Sequence, residues 1–598
     1  MESSKLNDEE KKLYEIRHSM SHILAKAVKE LYKDKNVKLA IGPAIDNGFY
    51  YDFDINLTLN ENHFAEIENK MKQIIKRNED FKKVIISKKD ALKLFADEPY
   101  KQELINELND KEISVYYTGD DFYDLCKGPH IDNSKKLQSF AFKITKVSGA
   151  YWRGDEKNKM LQRVYVYGFK TAEELKKYIK MQEEALLRDH RILGQKLELF
   201  FISEYSQGIP FYMPNGLALK NELINLWREL HNKDGYIEIE TPTIFNRKLW
   251  EISGHWSHYK ENMYTLSIDN EEYAIKPMNC MGALLYYKQN LHSYKEFPLK
   301  IAELGKVFRY ELSGALHGLS RVRSFTQDDA HILLLPNQIE SEVANILNLI
   351  DKIYSILGLS AHHLELSTMP ANHIGDEKEW RIAENSLENV LKKLGKKYSI
   401  NAGDGAFYGP KIDIHISDAI GRTWQCGTIQ LDMQMPKRFE IEYVDADGQK
   451  REPIMLHRVV FGSIDRFLGI LIENFAGAFP LWLSPVQVKV LCVSDSSATY
   501  AQQIFEHLSS YLICSIIVFL LVVSGLLTSF CLRYSGSTCT VGGSISFSRN
   551  KEDCPIIELA LFIIFPFPNK SQSVSTYVKR CIIFVNTSRL ALFRPEIM

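Results

Sequence analysis

At 598 residues, with 45% hydrophobic, 25% charged and 11% aromatic side chains, the chain has the make-up of a multidomain globular protein, which excludes disordered, collagen-like and disulfide-scaffold classes. Its 74 basic and 76 acidic side chains leave a formal charge of -2, so no chain-wide field marks a nucleic-acid or membrane-surface binder and any basic groove is local. The first ten residues are acidic and lack the apolar stretch of a signal peptide. Four irregularly spaced cysteines (Cys126, Cys280, Cys426, Cys492) in the first 510 residues fit reduced thiols, so a cytoplasmic location is expected.

Residues 12–33 place apolar side chains at 13, 16, 20, 23, 24, 27, 28 and 31, a helical stripe on which His18 and His22, four positions apart, share a face. Residues 38–54 read as strand, turn, strand, with Gly42-Pro43 and Asp46-Asn47-Gly48 as punctuation and an aromatic run after it. A helix over 66–78 and strand-like runs in 113–125 and 138–151 complete an α+β domain expected over residues 1–168. Residues 171–191 contain no Gly or Pro and predict a connecting helix, the linker being assigned to 169–191. An amphipathic helix over 217–232 follows, then a strand Tyr236 to Glu240 stopped by Thr241-Pro242. Residues 299–334 alternate apolar and polar side chains around a Gly-rich turn, the pattern of an antiparallel hairpin, and antiparallel strands are expected to about residue 485. No repeat of 20 to 50 residues is present, which argues against a solenoid.

Neither a G-x-x-x-x-G-K-[ST] loop nor a strand-coupled G-x-G-x-x-G occurs, so phosphate binding would fall to arginines. Phe308-Arg309-Tyr310-Glu311 enters the hairpin turn and Arg321-Val322-Arg323 leaves it, and guanidinium forks there can grip phosphate in bidentate fashion. Arg466 lies where Gly462 opens an apolar helical run. The order of these three segments, with the helix, strand and Pro242 segment first, resembles the signature motifs of class II aminoacyl-tRNA synthetases. Gly254-His255-Trp256, Lys276-Pro277-Met278-Asn279-Cys280, Phe325 through His331, Gly405 through Lys411 and Trp424 through Thr428 narrow the resemblance to threonyl-tRNA synthetases, over about residues 10 to 508. The fold class this implies is α+β multidomain: a class II antiparallel-sheet catalytic core over 192–482 flanked by helices, preceded by an α+β editing domain.

The same resemblance implies the roles of particular residues. Cys280, His331 and His457 correspond to the family's zinc ligands, a set of one thiolate and two imidazoles that leaves Zn²⁺ open positions for threonine's amino group and hydroxyl. Arg309, Arg321 and Arg466 would hold the phosphates of ATP with Mg²⁺, Arg466 stacking on adenine as well, and Glu311 would read the adenine amino group. Gln327 and Asp329 would support substrate recognition, Tyr408, Lys411 and Gln425 would line the pocket, and His255 would assist transfer to the ribose hydroxyl. The implied partners are tRNA(Thr), L-threonine, ATP and a second copy of the chain docked through residues 217–242. A regulatory protein that binds tRNA without charging it is the alternative, against which the intact arginines and ligands argue.

A site that demands a hydroxyl rejects valine strongly, whereas serine lacks only a methyl, worth roughly 1 to 3 kcal/mol, and leaks through. His18-x-x-x-His22 and Cys126-x-x-x-His130 resemble the remedy, the family's hydrolytic editing site, with Asp124, Tyr117 and Lys101 as helpers. Two His at i and i+4 with a Cys and a third His also form a legitimate structural zinc set. Ser19 stands where a zinc protease of the H-E-x-x-H type needs Glu.

The chain departs from the family at both ends. No room precedes His18 for the small ubiquitin-like domain many members carry. Trp482 through Leu491 starts the anticodon-binding α/β domain (483–510) and residues 501–508 resemble its first helix, after which agreement stops. Residues 511–598 carry 12 charged residues and five cysteines, against 138 charged residues and four cysteines in the first 510, and residues 511–531 bear no charge at all. An altered reading frame or unspliced segment, a membrane anchor and a divergent buried helix all fit this tail.

Overall fold

The computed structural model describes residues 8–491, with 498–499, 501–503, 505–506, 531–534, 537–540, 558–562 and 582–586. The chain divides into two units, Met1–Glu183 and Glu184–Met598.

In the first unit the expected amphipathic helix is Asp8–Leu31, with Asp8, Glu9 and Glu10 in the first turn, where carboxylates oppose the helix dipole favourably. Its stripe of Met20, Ile23, Leu24, Ala27 and Val28 is wholly buried in one cluster with Phe49, Tyr51, Phe53, Val164 and Val166. The latter five lie on Gly48–Asp54 and Met160–Phe169, two strands of an antiparallel sheet in the order Lys38–Leu39, Gly48–Asp54, Met160–Phe169, Ala141–Tyr151. A second sheet joins Phe81–Ser87, Glu112–Thr118 and Phe122–Leu125. Beside it, Ala91 and Ile105 from two short helices, with Phe95 just past the end of the first, form a small core with Ile113 and Val115.

The connector differs from its expected form as one helix over 169–191. Helix Ala172–Leu187 ends, and the Asp189 side chain accepts the Arg191 N–H to open a second helix, His190–Lys196. An aspartate satisfies orphan amides at a helix start better than it fits a helix interior, so the chain restarts there.

The second unit is built on an eight-stranded sheet in the order Ile237–Glu238, Leu299–Phe308, Ser324–Leu334, Ile454–Val459, Thr423–Asp432, Lys411–Ser417, Ala361–Ser367, Ser399–Asn401. Only the two end pairs are parallel. The strand expected over 236–240 shrinks to Ile237–Glu238, and the hairpin expected over 299–334 pairs Leu299 with Leu333 through Phe308 with Ser324. Helices Pro214–Lys233, Ile339–Ile356, Glu377–Lys393 and Ile464–Asn474 contribute Leu223, Trp227, Ile346, Ile353, Leu387 and Phe467 to one apolar core. Side chains alternate across a strand. On Ser324–Leu334, Ala330, Ile332 and Leu334 enter that core, and Gln327, Asp329 and His331 therefore share the opposite face. Thr423–Asp432 and Lys411–Ser417 shift register between Ile414 and His415, a bulge that lets both Gln425 and Thr428 reach Asp413.

Past Leu483, Val488–Leu491 pairs antiparallel with Ile582–Asn586, which pairs with Glu558–Phe562. Of the segment expected to be the first anticodon-domain helix, residues 501–503 and 505–506 are helical, and residues 511–530 of the uncharged run lie outside the described residues. Among the described residues no helix is long and apolar enough to cross a membrane.

Candidate active site and hydrolytic site

Three chain segments converge on the open face of the large sheet. Cys280 begins helix Cys280–Tyr287, while His331 and His457 face each other directly across the antiparallel pair Ser324–Leu334 and Ile454–Val459. Their ring centroids are 4.9 Å apart, edge to face. The potential ligand atoms of Cys280, His331 and His457 all lie within 4.8 Å of one another and all three residues are buried. Asp432 Oδ2 accepts a hydrogen bond from His457 Nε2 at 2.8 Å, fixing that ring in the way carboxylates orient metal-bound imidazoles. His331 Nε2 is buried without a hydrogen-bond partner, the condition of a nitrogen kept for a ligand. Burial raises the Cys280 thiol and lowers His331 well below the ordinary imidazole value. For His457 burial acts downward too, but the neighbouring Cys280 and Asp432 outweigh it and raise the ring to about 10.

The other expected pocket residues surround this triad. Asp329 is buried, which pushes its carboxyl up, and accepts the Asn279 amide at 3.2 Å. Gln327 Oε1 is buried and unpartnered. Tyr408 donates to Gln430 Oε1 at 2.6 Å and its ring lies 5.0 Å from that of His457. Lys411 pairs with Asp413 at 2.9 Å and with Asp404 at 3.1 Å, and Gln425 donates to Asp413 at 2.6 Å. His255, wholly buried, has its ring 6.5 Å from Tyr408, and its Nδ1 and Ser253 Oγ are 2.8 Å apart while its Nε2 has no partner. Burial, then the nearby His457, lowers His255 to about 3, so the ring is neutral at pH 7 and Nε2 offers a lone pair to a hydrogen-bond donor.

The arginines take distinct positions. Arg309 donates to the Pro277 carbonyl at 3.1 Å, lies over Phe325, and is near enough to influence Tyr408, Asp329 and His255. Arg321 crosses the hairpin to Glu311 at 2.9 Å and borders a cavity of about 280 Å³ that Gly208, His317 and Gly318 also line. Glu311 thus engages Arg321 directly. Arg466 sits in the first turn of Ile464–Asn474, its backbone N–H capped by Ser463 Oγ at 3.1 Å and its Nε buried with no partner.

The first unit carries the second cluster. His18, His22, Cys126 and His130 present ligand atoms within 4.8 Å of one another. Cys126 Sγ is 3.3 Å from His18 Nε2, 3.2 Å from His130 Nε2, and accepts the Gly128 N–H at 3.3 Å. Burial pushes the Cys126 thiol up to about 12 and lowers all three imidazoles. The Nδ1 atoms of His18 and His22 are buried without partners. Asp124 accepts from Lys101 at 2.5 Å and from the Tyr51 hydroxyl at 2.5 Å, and lies 3.7 Å from His22. Tyr117 is not part of this group: its ring packs on Tyr123 at 5.7 Å, beside the small core of Ile113 and Val115. Its neighbour Tyr116, on the opposite face of Glu112–Thr118, has its ring centroid 4.5 Å from that of His130, the planes tilted by 59°. One step along a strand reverses the side, so Tyr116 replaces Tyr117 as the aromatic neighbour.

Sequence reasoning also missed Asp432, Asn279 and Asp413, which hold His457, Asp329 and the Lys411–Gln425 pair. None lies at a diagnostic spacing, although Asn279 immediately precedes Cys280. Asp328 was missed as well: it is fully buried on the core side and accepts the N–H groups of Val460, Phe461 and Gly462 at 2.8 to 3.1 Å, fixing the turn into the Arg466 helix.

Residues 264–475 match the class II core domain of tRNA synthetases (G, H, P, S and T), and residues 113–165 match the threonyl and alanyl tRNA synthetase second additional domain. The chain is 56% identical over 503 residues to a threonine–tRNA ligase of Clostridium tetani, covering 84% of this chain and 78% of that one. It is 55% identical over 494 residues to the corresponding ligase of Clostridioides difficile, covering 82% and 76%. Among solved structures, the RNA binding domain of threonyl-tRNA synthetase from Cryptosporidium parvum superposes with a TM-score of 0.52 at 43% identity, over 54% of this chain and 81% of that one. With 55 to 56% identity to these ligases over more than four-fifths of its length, and with a class II core match over residues 264–475, the chain belongs to the threonine–tRNA ligase family of class II aminoacyl-tRNA synthetases.

Proposed function

We infer that the Cys280–His331–His457 pocket selects L-threonine through Zn²⁺ and that the His18–His22–Cys126–His130 cluster hydrolyses seryl-tRNA(Thr), within the chain's activity as a threonine–tRNA ligase. The observation that carries the first part is three converging, buried N and S donors with His331 Nε2 left without a hydrogen-bond partner. These residues fit a zinc ion by chemistry and by proximity. When bound, Zn²⁺ supplies Lewis-acid positions for the amino group and hydroxyl of threonine, which valine cannot fill. Asp432 orients His457, and Asn279 holds Asp329 toward the substrate.

In the first step the threonine carboxylate forms a bond to the α-phosphorus of ATP as the bond to pyrophosphate breaks. Arg309 and Arg466 stabilise the charge that develops, with Arg321 on the outer phosphates and Mg²⁺ travelling with the nucleotide. In the second, the terminal ribose hydroxyl of tRNA attacks the activated carboxyl carbon and AMP leaves, the hydroxyl proton departing with the AMP phosphate while His255 Nε2 accepts a hydrogen bond that orients the hydroxyl. The free thiols Cys126, Cys280 and Cys426 suit a reducing cytoplasm. Exposed Leu217 and Ile237 support a homodimer through the 217–242 region.

Threonine-dependent exchange of pyrophosphate into ATP tests the activation half directly. Exchange is expected with threonine, weakly with serine and not with valine, and stripping metal with a chelator abolishes it until Zn²⁺ is returned. Equal exchange with valine would refute hydroxyl selection. Activation is the appropriate readout because residues 511–598 do not resemble the anticodon-binding domain.

A further inference from the structure

We propose that His190 is a positioning residue for ATP, holding the loop that delivers Arg321 against the helix that carries Arg466; this rests on the phosphate-binding role given above to those arginines. His190 is fully buried at the start of helix His190–Lys196. Its Nδ1 lies 2.5 Å from Glu473 Oε1, and a carboxylate oxygen only accepts, so Nδ1 carries the proton. Nε2 is then a lone-pair acceptor, and the Leu319 N–H donates to it at 2.9 Å. A single tautomer satisfies both partners, and the other tautomer strands two buried groups.

Each partner leads to an arginine. Glu473 lies near the end of Ile464–Asn474, the helix that begins beside Arg466, and its second oxygen meets Arg422 at 2.5 Å. Leu319 sits inside a tight turn in which the N–H groups of Ser320 and Arg321 both donate to the His317 carbonyl, and His317 N–H returns to the Arg321 carbonyl at 3.1 Å. The approach of the ring depends on Gly318, whose φ is +49°: a Cβ there would lie 2.2 Å from His190 Nε2. The Leu319 side chain in turn packs on Gly469 of the same helix. Asp189, His190 and Glu473 are close enough to suggest a metal triad. Both ring nitrogens are already bonded, however, and Asp189 pairs with Arg191 at 2.5 Å, so the group serves hydrogen bonding.

The two nitrogens can be separated by substitution. His190→Asn keeps a donor near Nδ1 and removes the acceptor, whereas His190→Gln places an amide oxygen near Nε2. In pyrophosphate exchange, H190N is expected to raise the KM for ATP about tenfold, the scale of one lost buried hydrogen bond, with the KM for threonine little changed. H190Q should recover most of that loss. Amide hydrogen exchange across residues 313–323 should accelerate in H190N and not in H190Q. Gly318→Ala, whose Cβ would push the turn off the ring while His190 itself is kept, should reproduce H190N and serves if H190N fails to fold. Equal effects of H190N and H190Q, a parallel rise in the threonine KM, or unchanged loop exchange in H190N would overturn the proposal. Arg321→Ala is the control for the underlying reading: should it leave the ATP KM unchanged, the phosphate role of Arg321 fails, whatever His190 does to the loop.

Discussion

Cys280→Ser should reduce threonine-dependent pyrophosphate exchange by more than about 100-fold, beyond the usual 10- to 100-fold effect of disturbing a residue that merely orients a metal ligand. The substitution is close to isosteric. Cys280 is 3% exposed at the first turn of Cys280–Tyr287, in a cluster with Trp250, Met281, Leu284 and Tyr287, so the hydroxyl fits the same space and the helix start is retained. What changes is the donor: an alcohol does not present the thiolate that, with two imidazoles, makes a zinc set. Zinc content by atomic emission and exchange activity should fall together while the far-ultraviolet circular dichroism stays as in the parent. Wild-type exchange from a zinc-free C280S protein would remove the basis of amino-acid selection at this site. Asp432→Asn offers a graded companion, since it leaves all three donors and loosens only His457.

The combined substitution His18→Ala, His22→Ala should slow hydrolysis of preformed seryl-tRNA(Thr) by about 10²- to 10⁴-fold, the range for losing a positioned proton-transfer group. Threonine activation should be unaffected, because both histidines belong to the Met1–Glu183 unit and every residue of the activation pocket belongs to the other. The loss is expected from chemistry, since Asp124 keeps Lys101 and Tyr51 as partners when His22 is gone. Seryl-tRNA(Thr) hydrolysed at the parental rate by the doubly substituted protein would leave the cluster with the structural role that its ligand set also permits. Tyr116→Phe and Tyr117→Phe give a finer contrast, only the former lying against His130.

Periodicity made much of the architecture legible. The stripe from Leu13 to Leu31 and the alternation through Ser324–Leu334 each answer to burial on one side, which is a local property of sequence. The connector was misjudged because an uninterrupted helical composition hid the competing N-cap at Asp189. The two clusters are different in kind. His331 and His457 are direct neighbours only through strand register, and Cys280 joins them by the packing of a helix end, so no spacing rule reaches them and only the family resemblance named them. Asp432, Asn279 and Asp413 were illegible because a buried carboxylate or amide that holds another side chain looks, in sequence, like any other polar residue. Tyr117 lies away from His130 and Tyr116 beside it by a single position along a strand, where two consecutive tyrosines give composition no way to choose a face.

The strand Ser324–Leu334 carries two trades on one rod. Gln327, Asp329 and His331 face the candidate pocket, while Asp328, Ala330 and Ile332 face the scaffold, in strict turn. Inserting or deleting one residue within it would exchange the two crews, driving the reactive groups into oil and the hydrocarbon into the pocket. A one-residue change of length placed instead in the turn after Arg309 would alter the reach of that turn and leave the strand's parity intact.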